Sequence, residues 1–489
     1  MGSFPRIGQL TLNFIDGAWE ESSSGKWTDR YDPADQSILV TRAPDSTRAD
    51  AIRAINAAAR AAGAWRELPA PKRGRLLFDW LTWIDSRRDQ LAELLTAEEG
   101  KILAESRGEI GRARDILEYT AGMGRRLGGK VMPAEDQDVF CYTTCQPLGV
   151  VGLISPWNFP VAIPVWKLAP ALVTGNTVVL KPSPITPMTA AALVGGLDEV
   201  GVPRGVVNLV HGDSEPAVEI VQNSRINGVS FTGSTKVGKM IASAAADRLL
   251  KVQLELGGKN PQIVLGDADL ELALDGVIAG AFGSTGQRCT ATSRAIIADG
   301  IYDDFLSRIV ERAKAIKVGP GSRPDVEMGP LVDARALDRV KQYVEIGRGE
   351  GARVCSGGVP VETEQSGGLF YAPTVLEANP SMEIAKEEVF GPVLSCIRAR
   401  DLDEAISIAN GVRYGLTASI FTRDVSKVFR FAEKSEAGIV HVNRPGIGGY
   451  SHAPFGGLKE SGYGGREVGD QVIEFYTEAK AVYISYRAS

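Results

Sequence analysis

The chain has 489 residues, 44% of them hydrophobic and 23% charged, and a formal net charge of −6 at pH 7. This length predicts about two to four domains. The acidic balance, without a run of lysine or arginine, argues against a nucleic-acid partner. Five scattered cysteines without clustered histidines predict neither a disulfide framework nor a metal site, so we expect reduced thiols and a cytoplasmic protein.

Neither the N-terminus nor the most apolar segment has the pattern of a membrane-directed sequence. The N-terminus lacks an apolar stretch of signal-peptide length. Residues 150–173 are apolar over about the length that spans a bilayer. Four prolines, at 156, 160, 164 and 170, argue against one continuous helix there. We therefore expect a buried segment of a globular protein and no membrane partner.

The first half of the chain contains a helical block followed by an alternating pattern. From about Ser46 to Arg126 the spacing is helical, and we expect Ser46 to cap the first helix. Val139–Thr144 is rich in β-branched and aromatic residues and predicts a strand outside this block. After Pro147, strands are predicted at 148–154, 177–180, 206–210 and 228–231, with helices at 161–172, 186–200, 215–222 and 234–246. Such alternation predicts a parallel sheet that binds ligands at the carboxyl ends of its strands.

The same alternation restarts after Gly258 and predicts a second α/β unit. Strands are predicted at 262–265, 292–297, 375–376, 394–397, 417–421 and 438–442, with helices at 302–316 and 333–346 among them. The tail, 472–486, has the composition of a strand. We expect it to pair with the strand at 139–144, in this or another subunit.

Cys289, in the segment TGQRCTATSR at 285–294, is the candidate nucleophile. It lies between small polar residues and directly follows Arg288. A neighbouring cation and nearby backbone N–H groups lower the pKa of a thiol, so we expect a reactive thiolate. The alternative is a small buried hydrophobic residue, the usual role of a free cysteine.

Two other residues could serve the same chemistry. Glu255 lies between two leucines, and burial would raise its pKa and suit it to activating water. The alternative for Glu255 is a salt-bridged strand residue. Asn158, in the proline-stiffened loop PWNFP, offers a rigid amide donor for an oxyanion hole, with turn capping as the alternative. None of the three histidines is placed to form a dyad with a cysteine, which disfavours a cysteine protease.

The segment FTGSTKVG at 231–238 follows a predicted strand and opens a helix, as phosphate-binding turns do. Gly233 would allow the backbone to approach a phosphate, and Lys181, at another strand end, could reach a ribose or phosphate. Residues 233–240 nearly match the phosphate loop of nucleoside triphosphatases, but Met240 stands where that loop needs a hydroxyl. A triphosphatase is a weak alternative, and an ordinary helix-start turn is another.

Taken together, these motifs resemble the NAD(P)-dependent aldehyde dehydrogenase superfamily over almost the whole chain. They are PWNFP (156–160), KPS (181–183), FTGS (231–234), ELGGK (255–259), GQRC (286–289), EEVFGP (387–392) and PFGGLKESG (454–462). The resemblance implies two open parallel-sheet domains of the α/β class, namely a Rossmann-like cofactor domain (1–127 and 148–257) and a catalytic domain (258–462). It also implies a small β oligomerisation segment (128–147 and 463–489), and hence a homodimer or homotetramer.

The resemblance also implies roles for individual residues. Cys289 would attack the aldehyde, Asn158 would hold the resulting oxyanion, Glu255 would activate the hydrolytic water, and Lys167 would relay protons. The implied cofactor contacts are Trp157, Lys181, Ser183, Gly212, Gly233, Ser234, Glu388 and Phe390.

One departure from the family pattern concerns the choice of cofactor. Many NAD-preferring members have a glutamate that binds the adenosine ribose at the position of Pro184. Without that carboxylate nothing repels a 2′-phosphate, and Lys181 and Ser183 could help to bind one. We therefore expect NADP to be accepted and favoured, with comparable use of NAD as the alternative.

The implied substrate is a carboxylated semialdehyde. GQRCTATSR and HVNRPG (441–446) look like members that oxidise such compounds, particularly 2-oxoglutarate semialdehyde. Arg288, Arg444 and Trp166 are the candidate substrate contacts, and either arginine could instead form a structural ion pair. A broad-specificity aliphatic or aromatic aldehyde dehydrogenase is the rival within the class. Outside it, a non-catalytic binding protein on the same fold is the alternative.

Overall fold

The structure, a computed structural model, describes residues 4–363 and 366–486. Its N-terminal segment forms two antiparallel strand pairs that no pattern above predicted. These strands are β1 (Asn13–Ile15), β2 (Ala18–Glu20), β3 (Trp27–Asp32) and β4 (Asp35–Pro44). The turn between β1 and β2 uses Asp16 and Gly17, both at positive φ, as a tight hairpin requires.

Four helices follow, in the predicted block: α1 (Arg48–Glu67), α2 (Ala70–Ser86), α3 (Arg88–Glu99) and α4 (Leu103–Gly122). The prediction that Ser46 caps α1 is wrong. Thr47 is the capping residue, and its backbone N–H donates to the Asp50 carboxylate at 3.0 Å. The Ser46 hydroxyl instead accepts a hydrogen bond from Asn13 at 2.8 Å, because β1 packs against this corner.

The first large sheet confirms the predicted parallel alternation. The elements are β5 (Val131–Met132), β6 (Val139–Pro147), β7 (Val150–Ile154), α5 (Ala162–Thr174), β8 (Thr177–Lys181), α6 (Pro187–Glu199), β9 (Val207–Leu209), α7 (Ser214–Gln222), β10 (Gly228–Thr232), α8 (Thr235–Ala246) and β11 (Lys251–Glu255). The strand order β9-β8-β7-β10-β11 is parallel throughout, and β1 adds to the β9 edge in the antiparallel sense. Because helices cover both faces, β7, β8 and β10 are buried along their whole length.

The second large sheet begins four residues after β11. Its elements and those that follow are β12 (Asn260–Val264), α9 (Leu270–Phe282), β13 (Thr292–Ala298), α10 (Tyr302–Ala315), α11 (Ala334–Gly349), β14 (Arg353–Ser356), β15 (Thr374–Glu377), α12 (Glu383–Lys386), β16 (Val393–Ala399), α13 (Leu402–Asn410), β17 (Tyr414–Gly415), β18 (Thr417–Phe421), α14 (Val425–Lys434), β19 (Ile439–Val442), β20 (Leu458–Lys459), β21 (Gly462–Tyr463), α15 (Val472–Tyr476) and β22 (Thr477–Ser485). The order β14-β15-β16-β13-β12-β18-β19 is parallel except for the edge strand β14. The α/β class with two open parallel sheets is therefore confirmed.

A third, small sheet joins the two outlying segments. β22 pairs with β6 in the antiparallel sense over nine residues, within one chain, and β5 covers the other side of β6. The predicted pairing is confirmed, but the predicted strand over 472–486 is wrong at its start. Val472–Tyr476 is the short helix α15. The spacing of Val472, Phe475 and Tyr476 places all three on one helical face, and this face is buried in the apolar core beside the first large sheet.

Among residues 4–363 and 366–486, no helix has the length and apolar character needed to cross a membrane. The apolar stretch 150–173 includes β7 and most of α5, and both are buried along their whole length. Pro170 lies inside α5.

Candidate active site

The linker between β11 and β12 brings residues from both sheets together. Glu255 is the last residue of β11, and Asn260 is the first of β12. The Asn260 side chain donates to the backbone carbonyl of Cys289 at 2.7 Å and to that of Ala291 at 2.9 Å. The cysteine segment is thus tied to a residue only five positions after the candidate base.

A strained turn precedes the cysteine. Residues 283–286 form a 3₁₀ turn in which Ser284 and Thr285 have φ of 50° and 57°, values that residues other than glycine rarely adopt. The Ser284 N–H donates to Glu105 at 2.6 Å, and the Thr285 hydroxyl donates to the Gly329 carbonyl at 3.0 Å. Such conformations persist only where the surroundings hold them, and they are concentrated at functional sites.

The ionisation of Cys289 differs from the expectation. Burial raises the pKa of this thiol to about 12, and the carboxylates of Glu388 and Glu255 add to the effect. Arg288 does not lower it, because its guanidinium points away and binds the Ser284 hydroxyl at 2.9 Å and Glu105 at 3.1 Å. The prediction of a thiolate stabilised by Arg288 is therefore wrong. In this state the thiol is protonated, so its reaction with a carbonyl requires a base.

Glu255 has the properties of such a base. It is buried, and burial together with the neighbouring Glu467 raises its pKa well above the usual value, against the opposing charges of Lys167 and Arg466. Neither carboxylate oxygen accepts a hydrogen bond of normal geometry, although the Gly457 N–H lies near enough to favour the ionised form slightly. Burial with a raised pKa is confirmed for Glu255, and the described residues give it no salt bridge.

Asn158 lies against the cysteine segment. Its side chain is buried and donates to the carbonyl of Gln287, two residues before Cys289, at 3.0 Å. An amide nitrogen carries two hydrogens, and this bond uses one of them. The second amide hydrogen of Asn158 can therefore be donated to an oxygen that binds near the Cys289 sulfur.

Lys167 forms a buried ion pair with Glu467 and donates to the Ser230 hydroxyl at 2.7 Å. The Glu467 carboxylate is also one of the charges that raise the pKa of Glu255, after burial, whereas Lys167 opposes that rise. No sequence pattern identified Glu467. It lies in a glycine-rich stretch, 212 residues after Glu255, that resembles an ordinary loop.

The candidate cofactor residues line the carboxyl ends of β8 and β10. Lys181 ends β8 with a buried ammonium group that has no hydrogen-bond or salt-bridge partner in the described chain. Burial lowers its pKa to about 8, and Asp213 and Asp45 oppose that shift from a distance. Ser234, after Gly233, caps α8 by accepting from the Val237 N–H at 3.4 Å. An unpaired buried cation and a helix N-terminus both fit an anionic phosphate group.

Other expected cofactor residues adjoin this region. Glu388 accepts a hydrogen bond from the Gly258 N–H at 2.8 Å, and burial raises its pKa to about 7. Trp157 and Phe390 meet edge to face with ring centroids 5.5 Å apart, and Phe390 has a positive φ. Two more of the expected residues lie near strand ends: Ser183 accepts from the Ile185 N–H, and Gly212, at φ 118°, packs against the backbone of Ser46. Together they fit a dinucleotide that carries ribose hydroxyls and phosphates.

Residues 19–482 match the model of the aldehyde dehydrogenase family. The chain belongs to the aldehyde dehydrogenase family. It is 46% identical to the alpha-ketoglutarate semialdehyde dehydrogenase of Haloferax volcanii, over 97% of this chain and 99% of that one. It is 44% identical to the alpha-ketoglutaric semialdehyde dehydrogenase of Bacillus subtilis, over 97% and 98%. Betaine aldehyde dehydrogenase from Staphylococcus aureus, solved in complex with NAD+, superposes with a TM-score of 0.95 at 36% identity, over 98% and 96%.

This aldehyde dehydrogenase is thus an NAD(P)-dependent oxidoreductase. The triphosphatase alternative is wrong, because Met240 is exposed on α8 and supplies no hydroxyl for a metal. The apolar cluster that contains Trp166, Phe455 and Val468 packs against Cys289. The rings of Trp166 and Phe455 are 5.4 Å apart, and the Trp166 N–H is buried without a partner.

A cavity of about 250 Å³ with two arginines in its wall shares Phe455 with this apolar cluster. Arg444 donates to the Tyr450 hydroxyl at 3.1 Å, and Arg112, on α4, binds the carbonyl of Gly449. His441 also lines the cavity, and none of its lining residues is acidic. No sequence pattern pointed to Arg112, because it lies in a helix with many charges. Arg288 does not line this cavity and forms the ion pair that was its alternative.

Proposed function

We propose that this enzyme oxidises a semialdehyde with a distal carboxylate, such as 2-oxoglutarate semialdehyde, to the corresponding dicarboxylic acid. The observation that carries the proposal is a cavity lined by two arginines, a histidine and no acid, which shares Phe455 with the apolar cluster against which Cys289 packs. Paired guanidinium groups are the preferred protein partners of a carboxylate. The names of the relatives from Haloferax volcanii and Bacillus subtilis support the same substrate class.

In the proposed first half-reaction the Cys289 sulfur attacks the aldehyde carbon. The thiol proton passes to Glu255, whose raised pKa suits it to hold a proton. The oxygen that becomes negative is held by the free hydrogen of the Asn158 amide and by the backbone N–H of Cys289. A bound dinucleotide would supply the acceptor for the hydride of this carbon, and Cys289 would then carry a thioester.

In the second half-reaction water hydrolyses the thioester. Once the thiol proton has left Glu255, this carboxylate takes a proton from the water, which attacks the acyl carbon. The carbon–sulfur bond then breaks to release the carboxylic acid, and the departing sulfur takes the second proton back from Glu255. The thiol proton of the first half-reaction can leave through the buried pair Glu467–Lys167. Glu255 thus serves both half-reactions, which agrees with its lack of a fixed hydrogen-bond partner.

The substrate proposal predicts a selective loss in Arg112→Met and Arg444→Ala. Each charge-assisted hydrogen bond contributes about 1.5–3 kcal/mol, so kcat/KM for 2-oxoglutarate semialdehyde should fall about 10–100-fold in each variant. The value for an uncharged aldehyde of the same length should change less than about threefold. Formation of reduced cofactor, followed by absorbance, measures both.

Arg335→Ala is the matched control, because Arg335 is an exposed arginine on α11 outside the cavity. It should change neither value. If Arg444→Ala leaves the oxidation of semialdehydes unaltered, the rival function, a broad-specificity aliphatic or aromatic aldehyde dehydrogenase, is supported instead.

We also propose that NADP is favoured over NAD, since Pro184, three residues after Lys181 in the chain, offers no carboxylate. Introducing the missing charge with Pro184→Glu should lower kcat/KM for NADP at least about tenfold through repulsion of the 2′-phosphate. The value for NAD should stay the same or rise. Pro184→Gln, which has a similar shape without the charge, should leave NADP use nearly unchanged. Failure of the unaltered enzyme to use NADP would refute this preference.

The small sheet supports a proposal about assembly. Phe140 on β6 and Tyr483 and Ile484 on β22 are large, hydrophobic and exposed in one chain. We infer that residues 128–147 and 463–489 mediate a homodimer or homotetramer, with 1–127 and 148–257 as cofactor domain and 258–462 as catalytic domain. Light scattering measures the assembly.

A cytoplasmic location fits the five free cysteines.

A further inference from the structure

Helix α4 contacts both loops that carry the proposed chemistry. Glu105, in its first turn, accepts the Ser284 N–H at 2.6 Å and pairs with Arg288, next to Cys289. Glu109, one turn later, accepts the N–H groups of Val161 and Ala162 at 2.8 and 3.0 Å. One face of a single helix thus holds the cysteine loop and the loop of Asn158.

Lys101 completes this arrangement from the segment just before α4. It is buried, and its ammonium donates to Glu109 at 2.6 Å and to the backbone carbonyl of Asn158 at 2.7 Å. It also lies over the ring of Phe159 at 4.3 Å, with Glu99 3.9 Å away. The backbone of Asn158 is therefore bound on one side by a buried charge, while its side chain reaches Gln287 on the other.

The two oxygens of Glu109 have separate uses. One binds Lys101, and the other binds two N–H groups at the start of α5, which have no partner within that helix. Burying an ion pair costs so much desolvation energy that apolar side chains of similar volume are often no less stable. Unlike an apolar pair, the charged pair forms directional hydrogen bonds, and these fix the orientation of the backbone at residues 158–162.

We infer that Lys101 and Glu109 are positioning residues that orient the Asn158 amide toward the reacting oxygen. The inference rests on the proposed oxyanion role of Asn158. Both side chains are buried, and they reach this loop through hydrogen bonds to the backbone of residues 158, 161 and 162 and through the contact of Lys101 with the Phe159 ring. A displacement of about 1 Å in a catalytic group can cost about 10²-fold in rate, so the pair matters through kcat.

The test is a double-mutant cycle with the holoenzyme. Lys101→Met and Glu109→Gln are made together, so that neither charge is left alone, and are combined with Asn158→Ala. In the Asn158-containing enzyme the paired change should lower kcat about 10–100-fold at saturating aldehyde and cofactor, with KM for the aldehyde within about threefold. In the Asn158→Ala background the same change should cost less than about twofold. Cofactor affinity and melting temperature are measured for every variant.

The matched control is Glu98→Gln. Glu98 is also buried and binds the N–H groups of Met188 and Thr189 at the start of α6, but it has no contact with Asn158. It should lower the melting temperature and leave kcat within about twofold. If the paired variant does not fold, Glu109→Gln alone, which keeps an acceptor for α5, is taken through the same cycle.

Two outcomes would overturn the inference. One is an unchanged kcat in Lys101→Met/Glu109→Gln, and the other is that the fold-losses in kcat of this paired variant and of Asn158→Ala multiply when all three substitutions are combined. An unchanged kcat in Asn158→Ala would instead contradict the proposed oxyanion role itself. The two failures are therefore distinguishable.

Discussion

Replacement of Cys289 by alanine is expected to abolish aldehyde oxidation, with kcat falling by at least about 10⁴-fold. Alanine cannot form the covalent adduct, and without that adduct the hydride has no tetrahedral carbon to leave. The fold should be retained, because Cys289 contributes only one small, partly exposed side chain to the apolar cluster around Trp166. Dinucleotide affinity should be retained too. Absorbance of the reduced cofactor and a binding titration measure the two quantities.

Cys145→Ala is the control, since Cys145 is an exposed free cysteine on β6. It should leave turnover unchanged and so exclude a general effect of losing a thiol. Turnover of Cys289→Ala within about tenfold of the unaltered enzyme would refute the nucleophile assignment. Absence of turnover in the unaltered enzyme with every aldehyde and both cofactors would favour the non-catalytic alternative.

Glu255→Gln is expected to lower kcat by about 10²–10⁴-fold, the range for loss of a general base. Glutamine has nearly the same shape, so packing around Gly456 should survive while the proton acceptor is lost. Because the Cys289 thiol is protonated and the thioester needs an activated water, both half-reactions should slow. A slow second half-reaction would leave an acyl group on Cys289, which mass spectrometry of the quenched enzyme detects.

The dependence on pH gives an independent test of the same residue. Glu255 acts as a base only when ionised, and burial and Glu467 raise its pKa. The kcat of the unaltered enzyme should therefore be low at acid pH and rise as pH increases through that raised pKa. Glu255→Gln should lose this rise. A variant that keeps both its turnover and its pH profile would show that another group is the base.

The control for Glu255 is Glu219→Gln. Glu219 is a buried glutamate on α7 whose partner is Arg48, remote in the fold from the cysteine segment. Its neutralisation should reduce stability and leave kcat within about twofold. A loss of activity similar to that of Glu255→Gln would indicate that any buried glutamate has this effect.

Local patterns were sufficient to predict most helices and parallel strands. Apolar side chains recur about every 3.6 residues on the buried face of a helix and every two residues on one face of a strand, so nearby residues alone reveal these elements. They were also sufficient for family membership, since seven short motifs occur in one order. They missed β1 to β4, since β1 and β2 have only three residues each and the longer strands β3 and β4 show no clear alternation of apolar and polar residues. They misassigned 472–476, where four of the five residues have high strand propensity. This segment forms a helix because its buried face packs onto the apolar core beside the first large sheet.

The composition and order of motifs in the sequence determined that this protein is an α/β oxidoreductase with a cysteine, a glutamate and an amide at its candidate site. Only the tertiary structure decided how those groups ionise and what surrounds them. Arg288 directly precedes Cys289 in the chain but turns toward Glu105. Burial raises the pKa of the Cys289 thiol, and the charge of Glu388, 99 residues later in the chain, adds to that rise. The effect of a charge on a pKa depends on its distance from the titrating group and on the burial of both. The direction of the side chain sets that distance and burial, and this direction depends on contacts with residues far away in the sequence.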